Sequence, residues 1–292
     1  MKGKKNHLDN PLFRFMKEVD EKGVAITSTG DDKSFTTYNI DMSFPFVIVT
    51  LCLSGSARAV YDMQEYTQNK NDIGILLPGH IMRPLECSVD YTYTRIAISQ
   101  KMLADLRSQL FNHNYIKYNH APLFSLTDTQ VKRLLSIVET LKLIASHSEL
   151  DLHRRNHILT AQMVVGYEFI NYYRKQQEKL SIADSKTRIF AQFCELVAEH
   201  YRESREIIFY AELMDLHPKY LCRVINQATH GVTPKEWMER YVVAQAKRII
   251  AIYPDKSLKN IAYQLGFNEA TSFNRYFKRV EGITPKEYRD RL

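Results

Sequence analysis

The sequence predicts an α+β protein in which an N-terminal β-barrel with a pair of helices precedes an all-α domain with two helix-turn-helix motifs. Three observations lead to this fold class. Short apolar runs separated by turn residues occupy residues 35 to 125, two amphipathic stretches follow between about 127 and 175, and one segment of the C-terminal third occurs twice. At 292 residues the chain is long enough for two domains.

Four runs in the N-terminal half have the length and pattern of β-strands. They are Phe46 to Leu53, Ala57 to Tyr61, Ile73 to Leu77 and Tyr91 to Ile98, and turn residues such as Pro78-Gly79 lie between them. Strands at this spacing, with turn signals between them, are typical of a small barrel or sandwich.

Two helices are predicted after these strands. The first opens with a capping-box pattern at residues 127 to 130 and carries an apolar stripe at helical spacing, and the second runs from about Leu152 to Lys175. The stripe comprises Val131, Leu134, Leu135, Val138 and Leu141. A stripe of this kind usually packs against the core of its own chain.

A polar stretch around residues 176 to 187 separates the two halves of the chain. Its lack of apolar periodicity is typical of a linker. We therefore divide the chain into an N-terminal domain of residues 1–178, a linker of residues 179–189 and a C-terminal domain of residues 190–292.

An internal duplication defines the C-terminal domain. The segment Gly231-Val232-Thr233-Pro234-Lys235-Glu236-Trp237 returns 51 residues later as Gly282-Ile283-Thr284-Pro285-Lys286-Glu287-Tyr288. In each copy the Thr can cap a helix, the Pro takes the first helical position and the Glu can reach back to the cap. Both copies therefore start a helix.

A helix-turn-helix motif precedes the second copy, at about residues 257–281. Ser257 can cap a short helix that Gly266 ends, and a turn follows at Phe267-Asn268-Glu269. In the next helix, aromatic and aliphatic side chains form the buried face, namely Phe273, Tyr276, Phe277 and Val280. Its outward face carries small, polar and basic residues, as a recognition helix requires.

The same arrangement precedes the first copy, at about residues 207–230. Ala211, Met214 and Leu216 match the second motif at an offset of 51, whereas Leu221 and Arg223 match it at an offset of 52. The second turn is thus one residue longer, and the first motif carries one extra residue before Gly231.

Residues 234 to 252 read as one continuous helix between the motifs. About 18 residues at ~1.5 Å each form a rod of roughly 27 Å. This length is comparable with the roughly 34 Å between successive major-groove faces of B-DNA. One chain can therefore present two recognition helices to adjacent grooves.

These residues resemble the AraC/XylS family of bacterial transcription regulators over about residues 190 to 292. The resemblance rests on the order of the motifs, on Ile261-Ala262-Tyr263-Gln264-Leu265-Gly266-Phe267 and on Phe273-Asn274-Arg275-Tyr276-Phe277-Lys278-Arg279. The first motif departs from the family pattern at Val224-Ile225-Asn226 and in its inserted residue. The resemblance implies base-reading positions at Lys219, Cys222, Arg223, Ala270, Thr271, Asn274 and Arg275.

The resemblance also implies a cupin-like jelly roll that binds a small-molecule effector, and Asn71 to His80 looks like one strand and turn of such a barrel. Helices after the barrel commonly pair with a second subunit in this family. Leu134, Leu135, Val138 and Leu141 are therefore the residues we expect at a homodimer contact.

The chemistry of the outward residues agrees with DNA binding. Arginine can donate a bidentate pair to guanine, asparagine can pair with adenine, and alanine or threonine methyl groups can touch thymine. For Arg223 and Arg275 the alternative is a phosphate or an intramolecular carboxylate. The expected phosphate contacts are Asn226, Lys278 and Arg279, and Lys219 is chemically suited to the same role.

The net charge of +7 is concentrated where the motifs lie. Residues 186 to 292 contain 18 Lys and Arg against 13 Asp and Glu, a net of +5. Electrostatic association with phosphate requires such an excess. The four cysteines lack metal-ligand spacing, and the N-terminus lacks the apolar stretch of a signal peptide, so a cytoplasmic location with reduced thiols is expected.

We interpret the chain as a sequence-specific, effector-responsive DNA-binding transcription regulator, with RNA polymerase as a further partner. The alternatives are a barrel enzyme fused to a DNA-binding module, or a regulator whose barrel binds a protein. A metal-dependent barrel enzyme needs a His-x-His pair, whereas His80 stands alone. We therefore expect no enzymatic activity, no cofactor and no metal.

Overall fold

A computed structural model describes residues 11–28, 41–102, 104, 123–146, 151 and 185–292, together with nine positions between 155 and 170. It confirms the α+β fold class, because antiparallel sheets form the N-terminal part and helices form the C-terminal part. No helix in the described part of the chain is long and apolar enough to cross a lipid bilayer.

The described part of the chain contains eight strands and nine labelled helices. In chain order they are α1 (Pro11–Lys22), β1 (Val24–Ser28), β2 (Phe46–Ser54), β3 (Ser56–Tyr61), β4 (Gln64–Asn69), β5 (Asp72–Leu76), β6 (Met82–Cys87), β7 (Thr92–Ser99), β8 (Leu123–Ser125), α2 (Asp128–Ser146), α3 (Ser185–His200), α4 (Ile207–Leu213), α5 (Pro218–Ala228), α6 (Pro234–Ile252), α7 (Leu258–Gln264), α8 (Ala270–Glu281) and α9 (Pro285–Arg291).

The described strands pair into two antiparallel sheets. One has five strands in the order β1-β7-β2-β5-β8, and the other has three strands in the order β4-β3-β6. Residues of both sheets line a common cavity of about 120 Å³. The two sheets therefore face each other across this cavity.

The four predicted strands correspond to β2, β3, β5 and β7. The helices α1 and α3 and four strands, β1, β4, β6 and β8, were not predicted. β4 is polar along most of its length, with Gln68 its one buried residue, so it lacks the apolar alternation that marks a strand. For α1, the buried Phe15, Met16 and Val19 at helical spacing were an available signal.

The apolar stripe of α2 belongs to the core of the chain itself. Leu134 lies in one buried cluster with Leu51 and Ile73, and Leu141 lies in another with Leu77. Leu134, Val138 and Leu141 are buried, and Leu135 packs against the first of these clusters. The assignment of this stripe to a dimer contact is therefore wrong, because the sheet already covers it.

The second predicted helix, from about Leu152 to Lys175, lies largely outside the described residues, although each of the nine described positions between 155 and 170 is helical. Leu159 and Met163 pack into the same cluster as Leu141. They extend the core that covers the outer face of the five-stranded sheet.

The predicted linker ends earlier than its sequence suggested. Residues 185–189 form the start of α3, while residues 179–184 lie outside the described residues. Buried Phe190, Phe193 and Val197 fix α3 in the core of the C-terminal domain. The sequence did not indicate this start because the first residues of the helix, Lys186 to Ile189, are exposed or half-buried.

The two parts of the chain pack tightly against each other. The N-terminal cluster of Phe13, Phe15 and Phe44 also includes Ala251 and Ile252 from the end of α6. In this region Arg248 Nη1 contacts both carboxylate oxygens of Asp20 at 3.0 and 3.3 Å. The N-terminal domain thus covers part of the helix that connects the motifs.

The two parts of the chain also come close together at Gly79, in the turn before β6. Its φ of +88° favours glycine, and a Cβ atom at this position would lie 2.0 Å from the carbonyl oxygen of Cys194 on α3. Ile81 beside it belongs to the same buried cluster as Phe190. Backbone therefore touches backbone across the boundary between the two parts.

The placement of the α2 stripe leads to a stability prediction. We expect Leu141→Ala to lower the free energy of unfolding by about 2–5 kcal/mol, because the variant leaves a cavity in the core. Leu143 on the same helix is 72% exposed, and Leu143→Ala should change stability by no more than about 0.5 kcal/mol. Urea denaturation followed by circular dichroism measures both. Equal losses for the two variants would contradict the intramolecular core.

Candidate nucleic-acid interface

The first helix-turn-helix motif consists of α4 and α5. Buried Tyr210 and Ala211 hold α4 against the core, and Asp215 has a φ of 51° in the turn that follows. The ring nitrogen Nδ1 of His217 accepts a hydrogen bond from the backbone N–H of Lys219 at 3.2 Å, and Pro218 takes the first helical position. These features start α5 directly after the turn.

The second motif consists of α7 and α8. The hydroxyl of Ser257 accepts from the backbone N–H of Asn260 at 3.1 Å and caps α7. Gly266 has a φ of +78°, and a Cβ atom there would lie 2.3 Å from the carbonyl oxygen of Arg202. Only glycine therefore fits this turn without a shift of the backbone.

Equivalent hydrogen bonds confirm the duplication. In the first motif Leu216 N–H donates to the carbonyl of Ala211 at 2.9 Å, and in the second Phe267 N–H donates to the carbonyl of Ala262 at 3.0 Å. Ala262 and Phe267 lie 51 positions after Ala211 and Leu216, respectively. One residue then separates Leu216 from α5, whereas two separate Phe267 from α8, as the change of offset predicts.

The extra residue of the first motif lies after α5. Thr229 and His230 stand between that helix and Gly231, whereas α8 ends directly at Gly282. His230 has a φ of 55°, and Gly231 N–H donates to the carbonyl of Asn226, five residues earlier, at 2.8 Å. The inserted residue is thus accommodated in a wider last turn.

The connecting helix α6 covers Pro234–Ile252, as predicted. Thr233 N–H donates to Glu236 Oε2 at 3.1 Å, and Glu236 N–H donates to Thr233 Oγ1 at 3.2 Å. Hydrogen bonds from the backbone and side chain of Thr233 lower the pKa of Glu236. Thr284 and Glu287 form the same capping box before α9.

The predicted base-reading residues lie on the outer faces of α5 and α8. Side chains that would read bases must be accessible, and most of the set is. Lys219, Arg223, Thr271, Asn274 and Arg275 are exposed, while Cys222 and Ala270 are half-buried. The opposite faces pack inward through Leu221, Val224 and Ile225 on α5 and through Phe273 and Phe277 on α8.

The three expected phosphate-binding residues, Asn226, Lys278 and Arg279, are also exposed. Arg279 Nη1 lies 2.9 Å from Glu239 Oε1 of α6, so this guanidinium already has a carboxylate partner. Arg275 and Lys278 have no ion-pair partner among the residues that the structure describes. Their charges are therefore available to an outside anion.

Two contacts that the sequence did not reveal hold the second motif in place. Arg205 donates from Nη2 to the carbonyl of Leu265 at 2.7 Å, and its guanidinium lies 3.9 Å from the centroid of the Phe267 ring. Burial lowers the pKa of Arg205 and raises that of the neighbouring Tyr276 to about 12. Lys247 of α6 pairs with Glu281 at the end of α8 at 2.6 Å.

His80 is buried and is held by contacts within the chain. It is 3% exposed, its Nδ1 contacts the carboxylate of Asp62, and its ring stacks on Tyr61 with 5.1 Å between centroids. The described residues contain no group of three or more His, Cys, Asp or Glu side chains that could hold a metal ion.

The C-terminal part matches a known family. Residues 210–291 match the family described as "Helix-turn-helix domain". The first matched residue, Tyr210, lies in α4, and the last, Arg291, ends α9. The match thus covers both motifs and the connecting helix.

Curated relatives carry the name HTH-type transcriptional regulator. YisR of Bacillus subtilis (strain 168) is 31% identical over 139 residues, which are 48% of this chain and 45% of YisR. A regulator of Staphylococcus aureus is 27% identical over 251 residues, which are 83% of this chain and 31% of that protein. The matches therefore span less than half of the length of these relatives.

Among solved structures, ToxT from Vibrio cholerae O395, bound to (E)-4-(8-methylnaphthalen-1-yl)but-3-enoic acid, aligns over 91% of this chain and 97% of its own. The TM-score is 0.48 and the sequence identity 15%.

The duplicated motifs, their matching hydrogen bonds and the family match lead to one conclusion: residues 210–291 of this chain are a helix-turn-helix domain of the AraC type.

Proposed function

We propose that this chain is a sequence-specific DNA-binding transcription regulator. The observation that carries the proposal is the pair of helices, α5 and α8, which bury one face in a common core and expose polar and basic side chains on the other. Small domains read the major groove with exposed helices of this kind. The relatives named as transcriptional regulators support it.

The exposed residues divide into two chemical roles. Arg275 and Asn274 have side chains that can form paired hydrogen bonds with the edges of guanine and adenine, so we propose them as base readers together with Lys219, Cys222, Arg223, Ala270 and Thr271. Asn226, Lys278 and Arg279 are proposed phosphate contacts. For Arg279, DNA must compete with Glu239, because the two side chains form an ion pair.

We propose further that the protein acts in the cytoplasm, where bacterial DNA lies, and that RNA polymerase is a partner, because a transcription regulator acts at promoters. We assign no enzymatic role to the chain. A homodimer remains a proposal without an assigned surface, because the α2 stripe is buried within one chain.

The cavity between the two sheets is the proposed effector site. It measures about 120 Å³, and its lining is mostly apolar and aromatic, including Ile48, Tyr66 and Leu76. Gln68 Nε2 donates to the carbonyls of Thr50 and Asp72 at 2.8 and 3.0 Å, so its donors are occupied. An apolar cavity of ~150 Å³ in another protein holds benzene. We therefore propose a small, largely apolar effector with a single ring system.

The regulator proposal is tested by selection from random and genomic duplexes with the full chain. We expect enrichment of a bipartite sequence whose two halves lie about one helical turn apart, because two recognition helices are joined by α6. Footprinting at ~0.15 M salt then measures the protected bases. If selection enriches no sequence and binding is only non-specific and salt-sensitive, the proposal is refuted.

Alanine substitutions of Arg275 and Lys278 are predicted to affect DNA binding in different ways. Arg275→Ala should weaken operator binding by about 1–3 kcal/mol and relax the preference at one base pair. Lys278→Ala should weaken binding to all sequences alike and reduce the salt slope by about one unit. Titrations of each variant against the operator and random DNA measure both effects. An equal loss of Arg275→Ala on both DNAs would contradict its base-reading role.

For the cavity, we use indole as the probe and glucose as its polar control. Indole at ~100 times its dissociation constant should raise the unfolding free energy of the full chain by about 2.7 kcal/mol. Ala57 lines the cavity, so Ala57→Leu should abolish the rise in melting temperature. A rise that survives in the variant, or an equal rise with glucose, would place binding elsewhere.

A further inference from the structure

The hairpin of β3 and β4 lies between the cavity and the C-terminal domain. Its two-residue turn consists of Asp62 and Met63, which have φ values of 49° and 72°. Positive φ at both positions defines a type I′ turn, and non-glycine residues adopt it only where surrounding contacts offset the strain. The inner side of the hairpin, including Ala57 and Gln68, lines the cavity.

The tip of the hairpin contacts the first helix-turn-helix motif and the connecting helix. Met63 packs against the core cluster of the C-terminal domain, and its Sδ lies 3.1 Å from Nη1 of Arg240 on α6. Gln64 Nε2 lies 2.9 Å from Nε2 of His230. Because an amide NH₂ group only donates, the imidazole nitrogen accepts this hydrogen bond.

Buried contacts hold the turn rigidly beneath this tip. Asp62 is buried, and its Oδ1 accepts from the backbone N–H of Ile81 at 3.0 Å while Oδ2 contacts His80. The His80 ring in turn meets the ring of Phe190 on α3 edge to face, with 6.3 Å between centroids. Because these contacts hold the turn, we expect a displacement of the hairpin to be passed on to its neighbours.

Among the described residues, the hydrogen bond of Gln64 involves the first motif and not the second. His230 follows α5 in a segment that is one residue longer than its equivalent in the second motif, where Glu281 is the residue before the glycine. Glu281 instead pairs with Lys247 of α6, within the C-terminal domain. In the described part of the chain, the hairpin tip thus contacts the end of the first motif. The equivalent end of the second motif contacts the connecting helix α6 instead.

We propose that the β3–β4 hairpin couples the cavity between the sheets to the first helix-turn-helix motif and not to the second. Occupation of the cavity moves the hairpin, and the hairpin shifts the end of α5 through His230 and Arg240. The effector then adjusts the first recognition helix relative to α8. This inference rests on the proposed function for its biological meaning, whereas the mechanical coupling is testable without DNA.

The first test is hydrogen exchange of the full chain, measured by mass spectrometry. The tip variant Met63→Ala/Gln64→Ala should exchange at least fivefold faster at residues 218–232 and unchanged at residues 270–282. Gln64→Ala alone alters only an exposed side chain, so it keeps the fold and should show a smaller effect in the same direction. Asn69→Ala, at the far end of β4, is the matched control and should have no effect. Equal acceleration in both motifs, or none in either, would overturn the proposal.

The second test asks whether the cavity is linked to the motif. Ala57→Leu fills the cavity without a ligand and should change exchange at residues 218–232. The same substitution should have no effect there when combined with the tip variant, because a double-mutant cycle isolates the interaction between two sites. An Ala57→Leu effect of equal size in both backgrounds would show that the hairpin carries no signal.

The third test uses DNA and separates this inference from the regulator proposal. On the operator obtained by selection, the tip variant should change affinity at least fivefold. On an operator whose half-site for α5 is scrambled, wild type and tip variant should bind alike. A difference of equal size on both operators would overturn the specific coupling. If no operator exists, the regulator proposal fails, while the exchange experiments still decide the coupling.

Discussion

The whole structure depends on the burial of the connecting helix α6. Fourteen of its 19 residues are buried, and they occupy every face of the helix. A helix that is buried on every face owes its stability mainly to tertiary packing. Burial of each large side chain, such as Trp237, Tyr241 and Ile250, stabilises the fold by about 1.5–3 kcal/mol. Both motifs and the N-terminal domain are therefore arranged around one helix.

Two buried polar residues of α6 make specific contacts that fix how the helix packs against its neighbours. A buried charge is tolerated only with a partner, and Lys247, 6% exposed, finds one in Glu281 at the end of α8. Gln245, 1% exposed, donates to the carbonyl of Ser43 in the N-terminal domain at 3.2 Å. One polar group thus contacts α8, and the other contacts the N-terminal domain. The positions of α8 and of the N-terminal domain therefore both depend on the packing of α6.

The two motifs have equivalent backbone hydrogen bonds but different neighbouring residues. Their turns have equivalent hydrogen bonds, yet the second is fixed by Arg205 beneath Phe267 and by Glu281, whereas the first ends at His230 beside the hairpin. A duplicated domain with one motif held internally and the other held by a neighbouring domain is suited to asymmetric control. The longer segment around His230 changes little within its own motif, and its importance lies in what it contacts.

The sequence by itself determined the two motifs and the connecting helix of the C-terminal domain, but not α3. Caps, glycine turns and helical spacing are local signals, so the bounds of α6, the capping boxes at Thr233 and Thr284 and the exposed faces of α5 and α8 followed from a few neighbouring residues each. Alternating apolar residues likewise located β2, β3, β5 and β7. The polar strand β4 was not predicted because its one buried residue, Gln68, is not apolar.

Only the tertiary structure decided which surfaces are covered. An apolar stripe has the same pattern whether a sheet or a second subunit lies against it, and for α2 the sheet of the same chain does so. The ion pairs Arg248–Asp20 and Lys247–Glu281 and the contact of Gln64 with His230 join residues far apart in the chain. No local pattern encodes such pairs, because they depend on how separate elements meet in space.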